Sequence, residues 1–157
     1  MTSAEKPLKP YKRPESVLVV VFTTQGQVLV LQRADDPDFW QSVTGSLDLG
    51  ELPPDAAARE LFEETGIDSS DAGVELIDCV FSDQFTIREQ WRYRYPPGTT
   101  HNREHVFLAS LADCKPITIN PAEHLNSRWL SLNDAIAICW SATNRQAIEQ
   151  FVAPRFH

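Results

Sequence analysis

The distribution of apolar residues along the chain predicts a mixed α/β domain. Residues 16–22 (SVLVVVF) form an unbroken, largely β-branched run, the pattern of a buried strand. Residues 23–27 contain Gly26 and read as a hairpin turn, after which 28–32 (VLVLQ) return as a second strand. Residues 39–44 add a short piece of sheet. Residues 74–81, 84–95 and 104–111 read as further strands, the last two separated by Pro96-Pro97-Gly98. Helical spacing appears between Pro53 and Thr65, with prolines suited to a first turn, Asp55 near its positive end and Gly66 as the left-handed cap. Two more helices are expected, over 131–139 opened by Ser131, and over 144–152 with Ala147, Ile148, Phe151 and Val152 as its apolar side. Three prolines within residues 1–14 forbid helix there and predict an extended arm, leaving 15–157 as one domain. The sheet is expected to be antiparallel or mixed.

Length and composition agree with one globular unit of 157 residues, large enough for a core without disulfides or a structural metal. The three cysteines are far apart and form no C-x-x-C, which disfavours a disulfide framework and points to a reducing, cytoplasmic compartment. The N-terminus has no apolar segment of the signal-peptide kind, and the longest apolar run is far short of a membrane span. The net charge of −8 is the wrong sign for a nucleic-acid binder. Residues 45–71 carry −7 of it, with eight acids and one base. A solvated acidic face accounts for such a run, and so does a cation site.

The helix in that stretch conflicts with its own local preferences. Glu60, Glu63 and Glu64 lie at i, i+3 and i+4 and share one stripe. Ala57, Ala58, Leu61 and Phe62 occupy the neighbouring side, available for docking on the sheet. Like charges at i and i+4 destabilise a helix by a few tenths of a kcal/mol, and acids in the last turn oppose the helix dipole. A divalent cation would relieve both conflicts, and hard oxygen ligands suit Mg²⁺ or Mn²⁺.

The flanking residues sharpen this reading. Gly45, Glu51, Arg59-Glu60-Leu61, Glu63-Glu64 and Gly66-Ile67 satisfy G-x5-E-x7-R-E-U-x-E-E-x-G-U, with U apolar, at every specified position. The chain therefore resembles the Nudix hydrolases. The resemblance implies an α/β/α sandwich with a mixed β-sheet, in which a loop-helix-loop motif holds a divalent metal, and hydrolysis of a nucleoside diphosphate linked to another group. It implies Glu60 and Glu64 as metal ligands, with Glu63 and the Gly45 carbonyl as further candidates. Arg59 is expected to orient the glutamates through ion pairs, with Glu51 as a possible partner.

Outside the box the chain resembles one branch of that family, the bacterial dihydroneopterin triphosphate pyrophosphatases. The likeness runs through Tyr11 to Pro14, Leu31 to Ser46, Arg94 to Asn102, Glu123 to Leu125, Arg128 to Leu130 and Asn144 to Phe151. It implies a pterin triphosphate as the small-molecule partner, in an early step of folate synthesis, with pyrophosphate released. It assigns Glu123 as a third metal ligand or the water-activating base; beside Pro121, that residue is otherwise a turn cap. Lys12, Arg33 and Thr44 match binding positions, and Phe85, Thr86, Ile87 and Arg88 lie where the pterin is expected. Ser141 is a further expected contact. Trp40, Trp91, Tyr93 and Trp129 are open to stacking on a flat heterocycle, although large aromatics at strand positions are more often core.

The alternatives are a Nudix enzyme acting on (d)NTPs or damaged nucleotides, and a non-catalytic nucleotide-sensing Nudix domain that would be expected to lack a box glutamate. A P-loop and a nucleophile elbow are both absent, as is an EF-hand loop. His101, His105, His124 and His157 show no metal-ligand spacing and are expected to be structural or surface residues. No obligate protein partner is evident.

Overall fold

Strand β1 (Glu15–Thr23) is buried from Ser16 onward, on both faces. Its odd residues Val17, Val19 and Val21 pack with Ala56, Ala57 and Leu61 of helix α1 (Pro53–Thr65). Its even residues Leu18, Val20 and Phe22 pack with Ala135 and Cys139, in and just after α2 (Leu132–Ile138), and with Ala147 of α3 (Ala142–Ala147). A strand covered on both sides has no solvent face to mark with polar residues, which is why its sequence is a continuous apolar run. The computed structural model describes residues 10–156. The expected arm lies outside the described residues up to residue 9, as does His157; residues 10–14 approach β1 without helix or strand.

The sheet has seven strands and is mixed. β1 runs parallel to β6 (His101–Leu111) from Glu15↔Arg103 to Thr23↔Leu111. On its other side β1 pairs antiparallel with β4 (Val43–Ser46), and near its end it meets β2 (Gln27–Arg33) at Phe22↔Val28. β5 (Val74–Thr86) lies antiparallel on β6. β2 also pairs with β3 (Trp40–Gln41) and with β7 (His124–Ser131). The helices cover opposite faces, giving the expected α/β/α layering.

Several local expectations match the structure. Helix α1 starts at Pro53, and Gly66 ends it with φ 78° and its N–H donating to the Phe62 carbonyl. Ser131 caps α2, its Oγ accepting from the Asp134 N–H at 3.2 Å. Five details differ. Residues 84–95 are not one strand: β5 is continuous to Thr86 and then gives way to a 3₁₀ turn over Glu89–Arg94. The break expected near residue 82 is instead a bulge between Asp78 and Ser82, where Val80 has φ 51° and donates to Asp78 Oδ1. Strand β7 was not expected; its mixed polar sequence (HLNSRWLS) is recruited by pairing along the whole of β2. Helix α3 begins two residues earlier than expected, and residues 148–152 form a π-helical turn. On α1, Ala56 rather than Ala58 is buried, and Phe62 is exposed, because the face that docks on the sheet also takes in Glu64.

Candidate active site

The loop from β4 to α1 is fastened by Arg59. Its Nε and Nη2 donate to the two Glu51 carboxylate oxygens at 2.9 and 2.8 Å, and Nη2 also reaches the Ser46 carbonyl at 3.0 Å. Its Nη1 donates to Glu60 at 2.7 Å and Glu63 at 3.2 Å. The paired guanidinium holds the Glu51 carboxyl down at about 2. Arg59 thus ties the loop to the helix through Glu51, Ser46, Glu60 and Glu63.

The three helix glutamates separate by environment. Glu63 is 55% exposed and turned to Arg59. Glu60 is mostly buried, and burial raises its pKa despite Arg59. Glu64 is 2% exposed, and burial raises its pKa well above the ordinary carboxylate range, with Glu60 and then Glu123 adding to the effect. The Glu60 and Glu64 carboxyls are within hydrogen-bonding reach of each other, and the nearby Thr44 backbone works against the rise in the Glu64 pKa. A Cβ at position 45 would fall on the Glu60 carboxyl, so any larger residue there would displace that carboxyl from its place. Glu123 sits at the end of an exposed turn just before β7. The adjoining His124 is buried, its Nε2 3.6 Å from Glu64 Oε1.

Among the described residues, no three His, Cys, Asp or Glu side chains converge into a ready-made cage. The donor set nevertheless fits a divalent cation. Glu64 Oε1 is buried without a hydrogen-bond partner, beside a second buried carboxyl and within electrostatic range of a third acid. Such a group is costly when ionised alone and is relieved by a cation.

Next to Gly45 opens a cleft of about 150 Å³. All eight expected substrate contacts line it: Lys12, Arg33, Thr44, Phe85, Thr86, Ile87, Arg88 and Ser141. One wall is aromatic and cationic. Phe39 stacks on Trp140 with centroids 4.8 Å apart, Arg33 lies 4.2 Å over Trp91, and Arg88 lies 4.7 Å over Trp140. Asp35 bridges Arg33 and Arg94 at 2.7 and 3.2 Å. Burial lowers the Lys12 pKa, and Arg94 and Arg33 lower it further. These crowded cations suit a polyanion.

Of the aromatics considered for stacking, only Trp91 faces the cleft. Trp40 is core, Trp129 is partly buried with its N–H on the Lys115 carbonyl, and Tyr93 is exposed. Sequence reasoning missed Phe39, Arg94, Asn102, Glu104, Trp140 and Asn144, which also line the cleft. A signal existed for two of them: Asn102 and Glu104 occupy the same alternating face of β6 as core Val106 and Leu108.

A glycine-anchored loop and helix that press two carboxyls together on a mixed sheet define a class. Residues 12–151 match the NUDIX domain, and the chain belongs to that family, whose hydrolases act on diphosphate bonds. It is 49% identical over 145 residues to the dihydroneopterin triphosphate diphosphatase of Escherichia coli (strain K12), covering 92% of this chain and 95% of that one. Identity to the enzyme of the same name from Haemophilus influenzae is 43%, over 90% and 89% of the two chains. The solved structure of the E. coli dihydroneopterin triphosphate pyrophosphohydrolase superposes with a TM-score of 0.87, covering 92% and 98%.

Proposed function

We propose that this protein hydrolyses 7,8-dihydroneopterin triphosphate to the monophosphate and pyrophosphate, as a cytoplasmic step of folate synthesis. The observation that carries this reading is the cleft: the eight positions picked out by resemblance to that enzyme branch, scattered from residue 12 to residue 141, line one cavity beside Gly45. The near-complete coverage of a relative that bears that name supports it. Three free thiols suit a reducing compartment, and among the described residues no helix is long and apolar enough to cross a membrane.

Lys12, Arg33 and Arg94 hold the triphosphate and offset its charge. Arg59 keeps the loop and helix in register, so that Glu60 stays over Gly45. Glu60 and Glu64, with Glu123 as third ligand or base, would hold Mg²⁺, with Mn²⁺ able to substitute; the Gly45 carbonyl and Glu63 are further candidate ligands. Such an ion lowers the pKa of a bound water and neutralises charge on the phosphates. The test is a substrate panel with Mg²⁺ containing dihydroneopterin triphosphate, canonical dNTPs, 8-oxo-dGTP, ADP-ribose and a dinucleoside polyphosphate. Phosphorus NMR is expected to show pyrophosphate released fastest from the pterin. Preference for a nucleotide would overturn the substrate, and activity insensitive to EDTA would overturn the metal.

A further inference from the structure

The floor of the cleft is built from the α3-facing positions of two neighbouring strands. On β6 this row runs Asn102, Glu104, Val106, Leu108, and on β1 it runs Ser16, Leu18, Val20. The aliphatic members belong to the core. Ser16, Asn102 and Glu104 are buried almost as fully, at 6%, 1% and 5% exposure, yet they are polar and line the cleft. Burying polar groups costs free energy unless they are partnered.

Their partnering is incomplete. Asn102 Nδ2 donates to Ser16 Oγ at 2.7 Å, but Asn102 Oδ1 is buried without a partner. Glu104 Oε1 accepts from Thr143 Oγ1 at 3.1 Å, the one hydrogen bond this carboxyl makes among the described residues. Thr143 is in turn held by Ser141, 2.9 Å away. A carboxylate and an amide oxygen, two residues apart on one strand face, therefore present acceptor capacity that the protein does not fill.

We propose that Glu104 and Asn102 read the donor edge of the pterin ring, the carboxylate accepting from N3–H and the 2-amino group and Asn102 Oδ1 accepting from a further ring N–H. This deepens the substrate reading above and rests on it. The 2-amino-4-oxo-pyrimidine edge places two N–H donors side by side, the arrangement that matches a carboxylate fork. An adenine edge places an acceptor beside its amino group and would set a lone pair against the carboxylate. The spacing also fits. Ser16 pairs with Ser46 on one side and Glu104 on the other. Glu104 is thus two strand spacings, about 10 Å, from β4. The ring edge and the phosphates, at opposite ends of the ligand, then fall at opposite ends of the cleft. Burial and nearby Asp83 push the Glu104 pKa up to about 7, as expected for a carboxyl without a counter-ion.

The variant Glu104→Gln keeps the side-chain size and the acceptor for Thr143 while replacing one acceptor by a donor. The ratio of kcat/KM for dihydroneopterin triphosphate to that for dATP is expected to fall at least tenfold, mainly through KM, with dATP turnover retained. A ratio within twofold of wild type would overturn the proposal, because a purely structural role moves both substrates together. Should the variant not fold, the wild-type protein still decides. Free pterin is expected to inhibit at least tenfold more tightly than pteridin-4-one, which lacks the 2-amino group, and equal inhibition overturns the proposal. A wild type with no preference for the pterin over dATP removes the substrate reading and this inference together. A clear preference with an unchanged Glu104→Gln ratio removes this inference alone.

Discussion

Glu64 is a carboxylic acid placed where a protein this size ordinarily puts leucine, 2% exposed and with one oxygen unpartnered. Glu64→Gln removes a charge site while keeping shape. Turnover with Mg²⁺ is expected to fall by roughly a hundredfold or more, with an unchanged or higher melting temperature, because a buried acid is replaced by a neutral group. Near-normal turnover would remove Glu64 from the metal site. Glu104 gives a second residue-level prediction. Its pKa in the folded protein, about 7, lies above the ordinary 4.5, so the folded state binds that proton more tightly than the unfolded chain does. Its contribution to stability is then full below about pH 4.5 and is lost as the pH rises towards 7. The melting temperature of metal-free protein is expected to fall across that window, and Glu104→Gln to fall less. The decline does not vanish, since Glu60 and Glu64 are shifted in the same direction. Identical slopes for the two proteins would refute the assignment.

Short elements here depend on side-chain tethers. Helix α3 has six residues, too few to be stable by propensity alone. Asn144 fixes it to the strands: Oδ1 accepts from the Ser42 N–H at 2.8 Å, and Nδ2 donates to Ser42 Oγ at 2.9 Å, both buried. Asn144→Ala leaves the Ser42 N–H without a partner and is expected to cost about 2–3 kcal/mol in denaturant unfolding. It also loosens the segment that carries Ser141 and Thr143, so KM is expected to rise. Helix α1, by contrast, was legible from its own residues, because proline at the start and glycine at the end act locally. Strand β7 was not legible, because what selects it is the exposed edge of β2, nearly a hundred residues earlier in the chain. The 3₁₀ turn after Thr86 was hidden for the opposite reason. Trp91 and Tyr93 have strand propensity, but Trp91 is spent on packing with Phe39 and the arginines.

At the scale of the molecule, the sheet separates two tasks. One face carries α1 and its carboxyls, and the other carries the cleft and α3, and they meet at Gly45. A cation bound at that junction stabilises only the folded state. Millimolar Mg²⁺ at neutral pH is expected to raise the melting temperature of wild type and to do so much less for Glu64→Gln. An equal shift in both would place the ion elsewhere.

The chain by itself determined the glutamate-bearing helix, its ends, the buried central strand and the spacing of the glutamates. Each of these rests on interactions within a few residues, or on a periodicity that burial imposes on one element. Only the tertiary structure decided which glutamate is buried, which aromatics face the cleft, and that Asn102 and Glu104 close its floor. Burial of a single residue depends on what packs over it from distant parts of the chain. For Glu104 that is Thr143, thirty-nine positions away.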